Sequence, residues 1–312
     1  MYTKISTISI IVPFYNEGKG VDEFFKEINP ILQKINNIKF SYICIDDGSK
    51  DDTLIRLKKH KNKNKSIKII ELSRNFGKEA ALTAGIVNSN ADAVIPIDAD
   101  LQDPPELIQK LIHFWNKDYD VILAKRIDRS TDTLSKRFTA GIFYKLHNFI
   151  SYINIPENVG DYRLINKNVV EAIKTLPENQ RYMKGIFAWV GFKTYVVEYK
   201  RKARSEGKSK LGLNKLLNLA IEGITSFSTA PLRIFSYIGI LGIFFSIIYA
   251  IYILLNYFLL GVTTPGYNSL ILSILFLGNI QLIGIGVLGE YIGKIYLESK
   301  RRPSYIIRKI FK

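Results

Sequence analysis

The segment Ile8-Ser-Ile-Ile-Val-Pro-Phe-Tyr-Asn-Glu-Gly18 sets the pattern on which the first half of the chain is built. Its apolar run, residues 8–14, has the length of a buried strand and ends in polar residues. The amphipathic segment that follows, residues 21–35, is typical of a helix. A strand followed at once by a helix is the repeating unit of a parallel sheet.

The same alternation continues as far as residue 124. Further apolar runs predict strands at residues 42–45, 67–72, 93–97 and 120–124. The segments between them predict helices at residues 52–59, 78–88 and 104–115. The predicted fold class is therefore α/β, with a mostly parallel sheet covered by helices on both faces. Ligands of such sheets bind beyond the carboxyl ends of the strands.

Polar and acidic residues follow the predicted strands at this edge. They are Asn16, Glu17, Asp46, Asp47, Asp98 and Asp100. Asp98 and Asp100 are two apart in a loop and can hold one Mg²⁺ or Mn²⁺, with Gln102 as a further oxygen ligand. Acidic pairs such as Asp46-Asp47 and Asp98-Ala-Asp100 also occur in loops without a function, and Asp46-Asp47 could simply cap the helix that follows. The order of these motifs along the chain is therefore more informative than any one of them.

The C-terminal part has a composition that a soluble domain of this size rarely has. Residues 234–289, which are 56 in number, contain no Asp, Glu, Lys or Arg. At about 1.5 Å rise per residue, one helix of that length would be far longer than a bilayer is thick. Pro265 and Gly266 mark the turn where the stretch folds back. The sequence predicts a two-helix transmembrane hairpin, with a buried hairpin of a soluble core as the alternative.

Most of the positive charge lies beside this uncharged stretch. The 44 Lys and Arg exceed the 28 Asp and Glu, which gives a formal charge of +16. Residues 200–215 and 294–312 each hold seven basic residues and one acidic residue. This placement favours membrane lipids over nucleic acid as the partner. By the positive-inside rule, the sequence predicts a multi-pass protein of the cytoplasmic (inner) membrane with its N-terminal domain and both termini in the cytoplasm.

The domain organisation follows from these boundaries. The predicted parts are an N-terminal domain (1–210), a juxtamembrane segment (211–232), two transmembrane helices (233–293) and a basic cytoplasmic tail (294–312). The apolar spacing of the juxtamembrane segment fits a helix along the membrane interface or an ordinary core helix. The G-x-G-x-x-G at residues 284–289 lies inside a predicted membrane helix, where it favours close helix packing over nucleotide binding.

Several motifs together resemble a known family. They are IIVPFYNEG (10–18), IDDGSKDDT (45–53), SRNFGKEAALTAG (73–85), IDADLQDPPE (97–106), GDYRL (160–164), RYMKG (181–185), WVG (189–191) and RSEGKS (204–209). In this order they resemble the inverting GT-A glycosyltransferases of the polyprenyl-phosphate type, such as dolichyl-phosphate mannose synthase and the bactoprenol glucosyltransferases. The resemblance covers nearly the whole chain, and the two predicted spans match the bacterial membrane-anchored branch.

The resemblance implies a metal-dependent enzyme with a GT-A nucleotide-sugar-binding domain. It would transfer one sugar, glucose first of all, from a UDP-sugar to undecaprenyl or another polyprenyl phosphate with inversion, for cell-envelope glycosylation. The implied donor-binding residues are Pro13, Tyr15, Asn16, Glu17, Asp46, Asp47, Lys78 and Asp98. The implied ligands of Mg²⁺ or Mn²⁺ are Asp98, Asp100 and Gln102. Relatives form tetramers, which implies a homo-oligomer here.

Catalytic and acceptor-binding residues are implied in the same way. The catalytic set is Asp100, Asp161, Arg126 and Arg137. The lipid-phosphate set is Arg137, Arg204, Lys208 and Ser209. A lipid phosphate is already ionised near pH 7, so it needs cationic positioning rather than a strong base. Asp161 accordingly has two open roles, as a base or as a ligand of the sugar.

Two other functions stay open at this point. A processive polysaccharide synthase would resemble the chain at its N-terminus, but that class carries Q-x-x-R-W and more membrane spans. Gln180-Arg181-Tyr182 does not fit that spacing. A non-catalytic membrane scaffold would keep the fold and bind a partner, and the intact set of acids argues against it.

Overall fold

The computed structural model describes residues 6–127, 156, 158–179, 181–200, 228–260 and 266–312. Its strands are β1 (Ser6–Phe14), β2 (Ile38–Asp46), β3 (Ile67–Leu72), β4 (Ala93–Pro96), β5 (Val121–Arg126), β6 (Val159–Asn166), β7 (Thr194–Tyr199) and β8 (Ile307–Phe311). Its helices are α1 (Gly18–Gln33), α2 (Thr53–Lys63), α3 (Lys78–Val87), α4 (Leu107–Trp115), α5 (Lys167–Thr175), α6 (Met183–Trp189), α7 (Ala230–Leu260) and α8 (Tyr267–Ser299). The strands and helices predicted up to residue 124 are all confirmed, with ends that differ by a few residues.

The described strands form one eight-stranded sheet in the order β7-β5-β6-β4-β1-β2-β3-β8. Strands β4, β1, β2 and β3 run parallel, which confirms the predicted, mostly parallel sheet. Strand β6 lies antiparallel between β4 and β5. The start of β6 therefore lies at the same edge as the ends of β4 and β5.

Apolar side chains fill both faces of the sheet. Ile10 of β1 points to the face covered by α1 and α4, whereas Ile11 points to the face covered by α3, α5 and α6. Each large side chain buried in this way contributes about 1.5–3 kcal/mol. Gly85 lets α3 pack directly on β1, because a Cβ there would lie 2.3 Å from Ile11 Cγ2. The close contact fixes the position of α3, whose first residue, Lys78, lies at the carboxyl edge of the sheet.

The last strand is a finding that the sequence did not predict. Strand β8 pairs antiparallel with β3, so the sheet is not confined to residues 1–210 and residues 294–312 are more than a basic tail. Arg308 forms an ion pair of 3.2 Å with Glu71 of β3. Phe311 packs against the hydrophobic core. The pairing covers backbone groups that an open edge of β3 would expose.

The two long C-terminal helices, α7 and α8, correspond to the predicted membrane segments. Within the described residues, the 24-residue stretch Phe276–Ser299 is long and apolar enough to cross a membrane. Residues 261–265, between the helices, lie outside the described residues. Residues 201–227, which include most of the predicted juxtamembrane segment, lie outside them as well. The transmembrane hairpin therefore stays a prediction.

We expect deletion of residues 303–312 to loosen β3 specifically. Without β8, the edge of β3 loses its hydrogen-bonded neighbour, and a loss of about 1.4 kcal/mol of local stability speeds amide exchange about tenfold. Hydrogen–deuterium exchange should therefore rise in residues 67–72 and stay unchanged in β1. The variant Arg302→Ala removes an exposed charge that precedes the strand, leaves the ion pair of Arg308 with Glu71 intact and serves as the control. Equal exchange of β3 in the truncated and full-length chains would contradict the pairing.

Candidate active site

An open cleft of about 290 Å³ lies at the carboxyl ends of β1, β2 and β4. Its lining is Pro13, Phe14, Tyr15, Glu17, Asp47, Asn75, Gly77, Lys78, Ala81, Asp98, Ala99 and Asp100. The structure thus brings most of the predicted donor-binding and metal-binding residues to one place. Asn16, Asp46 and Gln102 lie beside or beneath this lining.

Asn16 shapes the loop that follows β1. Its backbone N–H donates to Ser49 Oγ at 3.0 Å, and its side-chain Oδ1 accepts from the backbone N–H of Lys50 at 2.9 Å. Its φ of 52° lies in the left-handed region, which Asn adopts more readily than most residues. The contacts tie the loop after β1 to the loop after β2, so Asn16 positions the cleft from outside it.

The adjacent acids Asp46 and Asp47 have different surroundings. Asp47 accepts the backbone N–H of Phe76 at 2.7 Å and that of Gly77 at 2.9 Å, on separate oxygens. Asp46 Oδ1 is buried and has no hydrogen-bond partner among the described residues. Burial raises the pKa of both carboxyl groups. Asp47 therefore holds the loop that leads to Lys78, whereas Asp46 keeps an acceptor oxygen for a ligand.

The same loops approach each other most closely at Gly48. Its φ is 68°, and a Cβ there would lie 2.4 Å from the carbonyl carbon of Arg74. Only glycine meets both the conformation and the contact without strain. The backbone conformation and the close contact together explain why glycine occupies this position of the IDDGSKDDT motif.

Lys78 joins two carboxylates at the floor of the cleft. Its Nζ lies 2.7 Å from Asp98 Oδ1 and 2.8 Å from Asp161 Oδ2. Burial opposes the charge of Lys78, but the two carboxylates outweigh it and raise its pKa. Burial likewise opposes the charge of Asp161, but Lys78 and then Lys184 lower its pKa. The second oxygen, Asp161 Oδ1, is buried without a hydrogen-bond partner in the described part of the chain.

The predicted metal ligands have the chemistry that a divalent cation needs. Asp100 is exposed, and Gln102 Nε2 donates to Asp100 Oδ2 at 2.7 Å. Asp98 and Asp100 line the open cleft with carboxylate oxygen atoms, which suits Mg²⁺ or Mn²⁺ bound together with a diphosphate. Across the described ranges, no group of at least three His, Cys, Asp or Glu side chains is gathered to hold a metal ion. A metal held by Asp98 and Asp100 would therefore take its remaining ligands from substrate, water or Gln102.

Of the cations predicted for catalysis and for binding the lipid phosphate, only Arg126 lies within the described residues. Arg126 ends β5 at the same edge of the sheet, and its backbone N–H donates to the carbonyl oxygen of Asn158 at 3.0 Å. The other cationic and hydroxyl candidates lie outside the described residues. They are Arg137, Arg204, Lys208 and Ser209.

The sequence analysis did not single out three residues that surround Asp161. Glu79 accepts the backbone N–H of Met183 at 2.9 Å, and burial followed by the charge of Asp161 raises its pKa to about 7. Arg163 is buried and donates from Nη2 to the carbonyl oxygen of Gly160 at 2.6 Å. The charge of Lys184 acts on both Asp161 and Glu79. All three lie within motifs that carry the family resemblance, and that position is the signal from which they could have been found.

Comparisons with known proteins identify the family of the chain. The family model described as glycosyl transferase family 2 matches residues 9–174. The bactoprenol glucosyl transferase of Shigella phage SfV is 51% identical over 301 residues, which are 96% of this chain and 98% of that protein. The prophage bactoprenol glucosyl transferase homolog of Escherichia coli (strain K12) is 49% identical over 305 residues, 98% of this chain and 99% of that protein.

Solved structures give a more distant match. Glucosyl-3-phosphoglycerate synthase from Mycobacterium tuberculosis, in complex with Mn²⁺, UDP-glucose and phosphoglyceric acid, is 17% identical with a TM-score of 0.46. The match covers 70% of this chain and 78% of that structure. The family match and the near full-length relatives confirm the resemblance, and with it the α/β fold of the GT-A type. The chain belongs to glycosyl transferase family 2.

Proposed function

We propose that this chain transfers one glucose from UDP-glucose to a polyprenyl phosphate, with inversion, and so makes a lipid-linked sugar donor for cell-envelope glycosylation. The observation that carries the proposal is the cluster of Lys78, Asp98 and Asp161 at the floor of an open cleft. The relatives named bactoprenol glucosyl transferases, at about half identity over nearly their whole length, support the donor sugar and the acceptor.

The donor would lie across the carboxyl ends of β1, β2 and β4. Asp46 Oδ1, buried without a partner among the described residues, would accept a hydrogen bond from the base or ribose. Tyr15 and Glu17 line the same cleft. Asp161 Oδ1 would accept from a sugar hydroxyl, since a buried carboxylate oxygen without a donor is costly.

A divalent metal, Mg²⁺ or Mn²⁺, belongs to the proposal. Asp98 and Asp100 would hold it, with Gln102 beside them. Bound there, it would neutralise the charge that develops on the departing UDP. Lys78 already brings one positive charge to the carboxylate of Asp98.

The transfer itself is a single displacement. An oxygen of the acceptor phosphate forms a bond to the anomeric carbon, while the bond from that carbon to UDP breaks and its electron pair leaves with the diphosphate. The acceptor oxygen carries no proton near pH 7, so the mechanism requires no general base. Asp161 is therefore proposed as a ligand of the sugar, and Arg126 as a cation near the acceptor.

The membrane location is also part of the proposal. Helices α7 and α8 expose large apolar side chains, among them Phe244 and Phe258, which are 61% and 78% exposed. Such surfaces fit contact with lipid tails or with a second copy of the chain. We therefore propose a two-span protein of the inner membrane, with its catalytic domain and both termini in the cytoplasm, that forms a homo-oligomer.

The reaction can be tested directly with labelled UDP-glucose and undecaprenyl phosphate. We expect label to enter the organic phase, and Asp100→Asn to lower the rate about 100-fold or more because a charged metal ligand is lost. Asp118→Asn is the matched control, since Asp118 is fully exposed and lies away from the cleft. Label in a water-insoluble polymer would instead indicate a polysaccharide synthase. Full activity of Asp100→Asn in the presence of EDTA would contradict the metal-dependent mechanism.

The two adjacent acids should respond differently to the same substitution. Asp46 also bonds Ser49, and an amide has only one acceptor oxygen. Asp46→Asn should therefore raise the KM for UDP-glucose while the melting temperature stays level or rises, because a buried charge is removed. Asp47→Asn should lower the free energy of unfolding by about 1–3 kcal/mol, because it leaves one backbone N–H of its loop without an acceptor. Thermal unfolding and initial rates distinguish them, and identical effects would refute the division of roles.

Glu79 predicts a pH dependence of stability. Its pKa in the folded chain is raised from 4.5 to about 7, so the folded state binds the proton more tightly than the unfolded state. Stability should therefore fall as pH rises from about 4.5 to about 7. Glu79→Gln keeps an acceptor for Met183 and should unfold at an increasingly higher temperature than wild type between pH 5 and pH 8. A temperature difference that does not change with pH would contradict the prediction.

A further inference from the structure

The last turns of α8 extend beyond the apolar part of that helix. The helix has 33 residues, so at about 1.5 Å per residue it is about 50 Å long, whereas the hydrocarbon core of a bilayer is about 30 Å thick. Its acidic and basic residues all lie towards its C-terminal end and share one face, since they are four apart: Glu290, Lys294 and Glu298. These turns therefore have the length and the charge to leave the membrane and contact the α/β domain.

Glu298 makes that contact, with the loop between α5 and α6. Of this α5–α6 loop, residues 176–179 and 181–182 are described. The backbone N–H of Asn179 donates to Oε1 and to Oε2 of Glu298, at 3.1 Å each, and Asn179 Nδ2 donates to Oε2 at 3.4 Å. Hydrogen bonds to an ionised acceptor are stronger than neutral ones. A single carboxylate thus joins the end of α8 to a loop that is 119 residues away in the sequence.

Arg181 ties the two ends of the same loop together. Its Nη2 donates to the carbonyl oxygen of Leu176 at 2.8 Å, and its Nε donates to that of Glu178 at 3.1 Å. Asn179 therefore lies within a segment that is already closed on itself. Leu176 and Tyr305, which follows α8 in the chain, pack against the same hydrophobic core, the one covered by α3, α5 and α6. The loop and the end of α8 thus form one junction.

The junction continues into the active site through Met183, the first residue of α6. Its backbone N–H donates to Glu79 Oε2 at 2.9 Å, and its Sδ accepts from Thr83 Oγ1 at 3.4 Å. Glu79 directly follows Lys78, whose Nζ holds the carboxylate of Asp161 at 2.8 Å. The first turns of α3 therefore hold the start of α6 beside the carboxylate to which we assign the sugar.

We propose that Glu298 is a positioning residue of the sugar transfer, which fixes the α5–α6 loop and, through Met183, the side of the site that carries Asp161. The inference rests on the proposed function, because that function places the sugar at Asp161. The loops at the nucleotide end of the cleft are held by separate contacts, those of Asn16. Loss of Glu298 should therefore slow turnover more than it weakens donor binding, since misplaced reacting groups cost rate while the nucleotide keeps its contacts.

The test uses the purified full-length chain with UDP-glucose and undecaprenyl phosphate. We expect Glu298→Ala to lower kcat about 10- to 100-fold, while the KM for UDP-glucose and the calorimetric Kd for UDP change less than about twofold. Glu298→Gln should recover most of the rate, because its amide oxygen still accepts from the backbone N–H of Asn179. Glu290→Ala removes an exposed acid from the same face of α8 and is the matched control, with the wild-type rate. An unchanged kcat in Glu298→Ala would overturn the assignment.

Amide exchange separates a positioning role from a general loss of stability. In Glu298→Ala, hydrogen–deuterium exchange should rise about tenfold in peptides that cover residues 176–183 and stay unchanged in β1 and β2. An equal rise across the whole sheet would show destabilisation alone and overturn the positioning role. If wild type binds UDP-glucose but glucosylates no polyprenyl phosphate, the proposed function fails. That outcome differs from an active wild type with an equally active Glu298→Ala variant, which refutes the role of Glu298 alone.

Discussion

The pairing of one ammonium group with two carboxylates from distant parts of the chain holds the site together. Lys78 begins α3, Asp98 follows β4 and Asp161 belongs to β6, so the ion pairs join three elements that form the cleft. Without a cation, two such carboxylates would repel each other and each would gain a raised pKa. Lys78 offsets that repulsion and keeps the pKa of Asp161 below its ordinary value, although burial acts in the opposite direction. Its position depends in turn on Gly85, which lets α3 lie against β1, and on Asp47, which holds the loop before α3.

The part of the site that sequence reasoning could place is the part that follows simple strand–helix alternation. Asp98 and Asp100 come directly after an apolar run, and the ends of parallel strands share one edge, so their position follows from the pattern. Asp161 is different, because it lies near the start of its strand and the same rule would put it at the opposite edge. It reaches the cleft only because β6 runs antiparallel to β4. Nothing in the local sequence states that reversal, and the resemblance to a family was the only guide.

Strand β8 escaped prediction for a related reason. Residues 307–311 read Ile-Arg-Lys-Ile-Phe, which is short, carries two basic residues and lacks strict alternation. Its strand conformation comes from the open edge of β3 and from the ion pair between Arg308 and Glu71. Tertiary context, rather than local propensity, decides such a segment. Part of the positive charge next to α8 thus contacts the catalytic sheet as well as any membrane surface.

Strand β6 brings Asp161 to the donor cleft, and its register determines which of its side chains lie on that side of the sheet. Side chains two apart in a strand share one face, so Val159, Asp161 and Arg163 point to the same side of the sheet. Asp161 forms its ion pair with Lys78 of the cleft, and Arg163 on the same face lies against the ring of Phe187 in α6. A shift of one residue would send all three to the other face. Backbone pairing of Asn166 with Asp120 at 2.9 Å holds the far end of the strand in place. The position of Asp161 at the cleft therefore depends on a strand whose direction departs from the parallel core of the sheet.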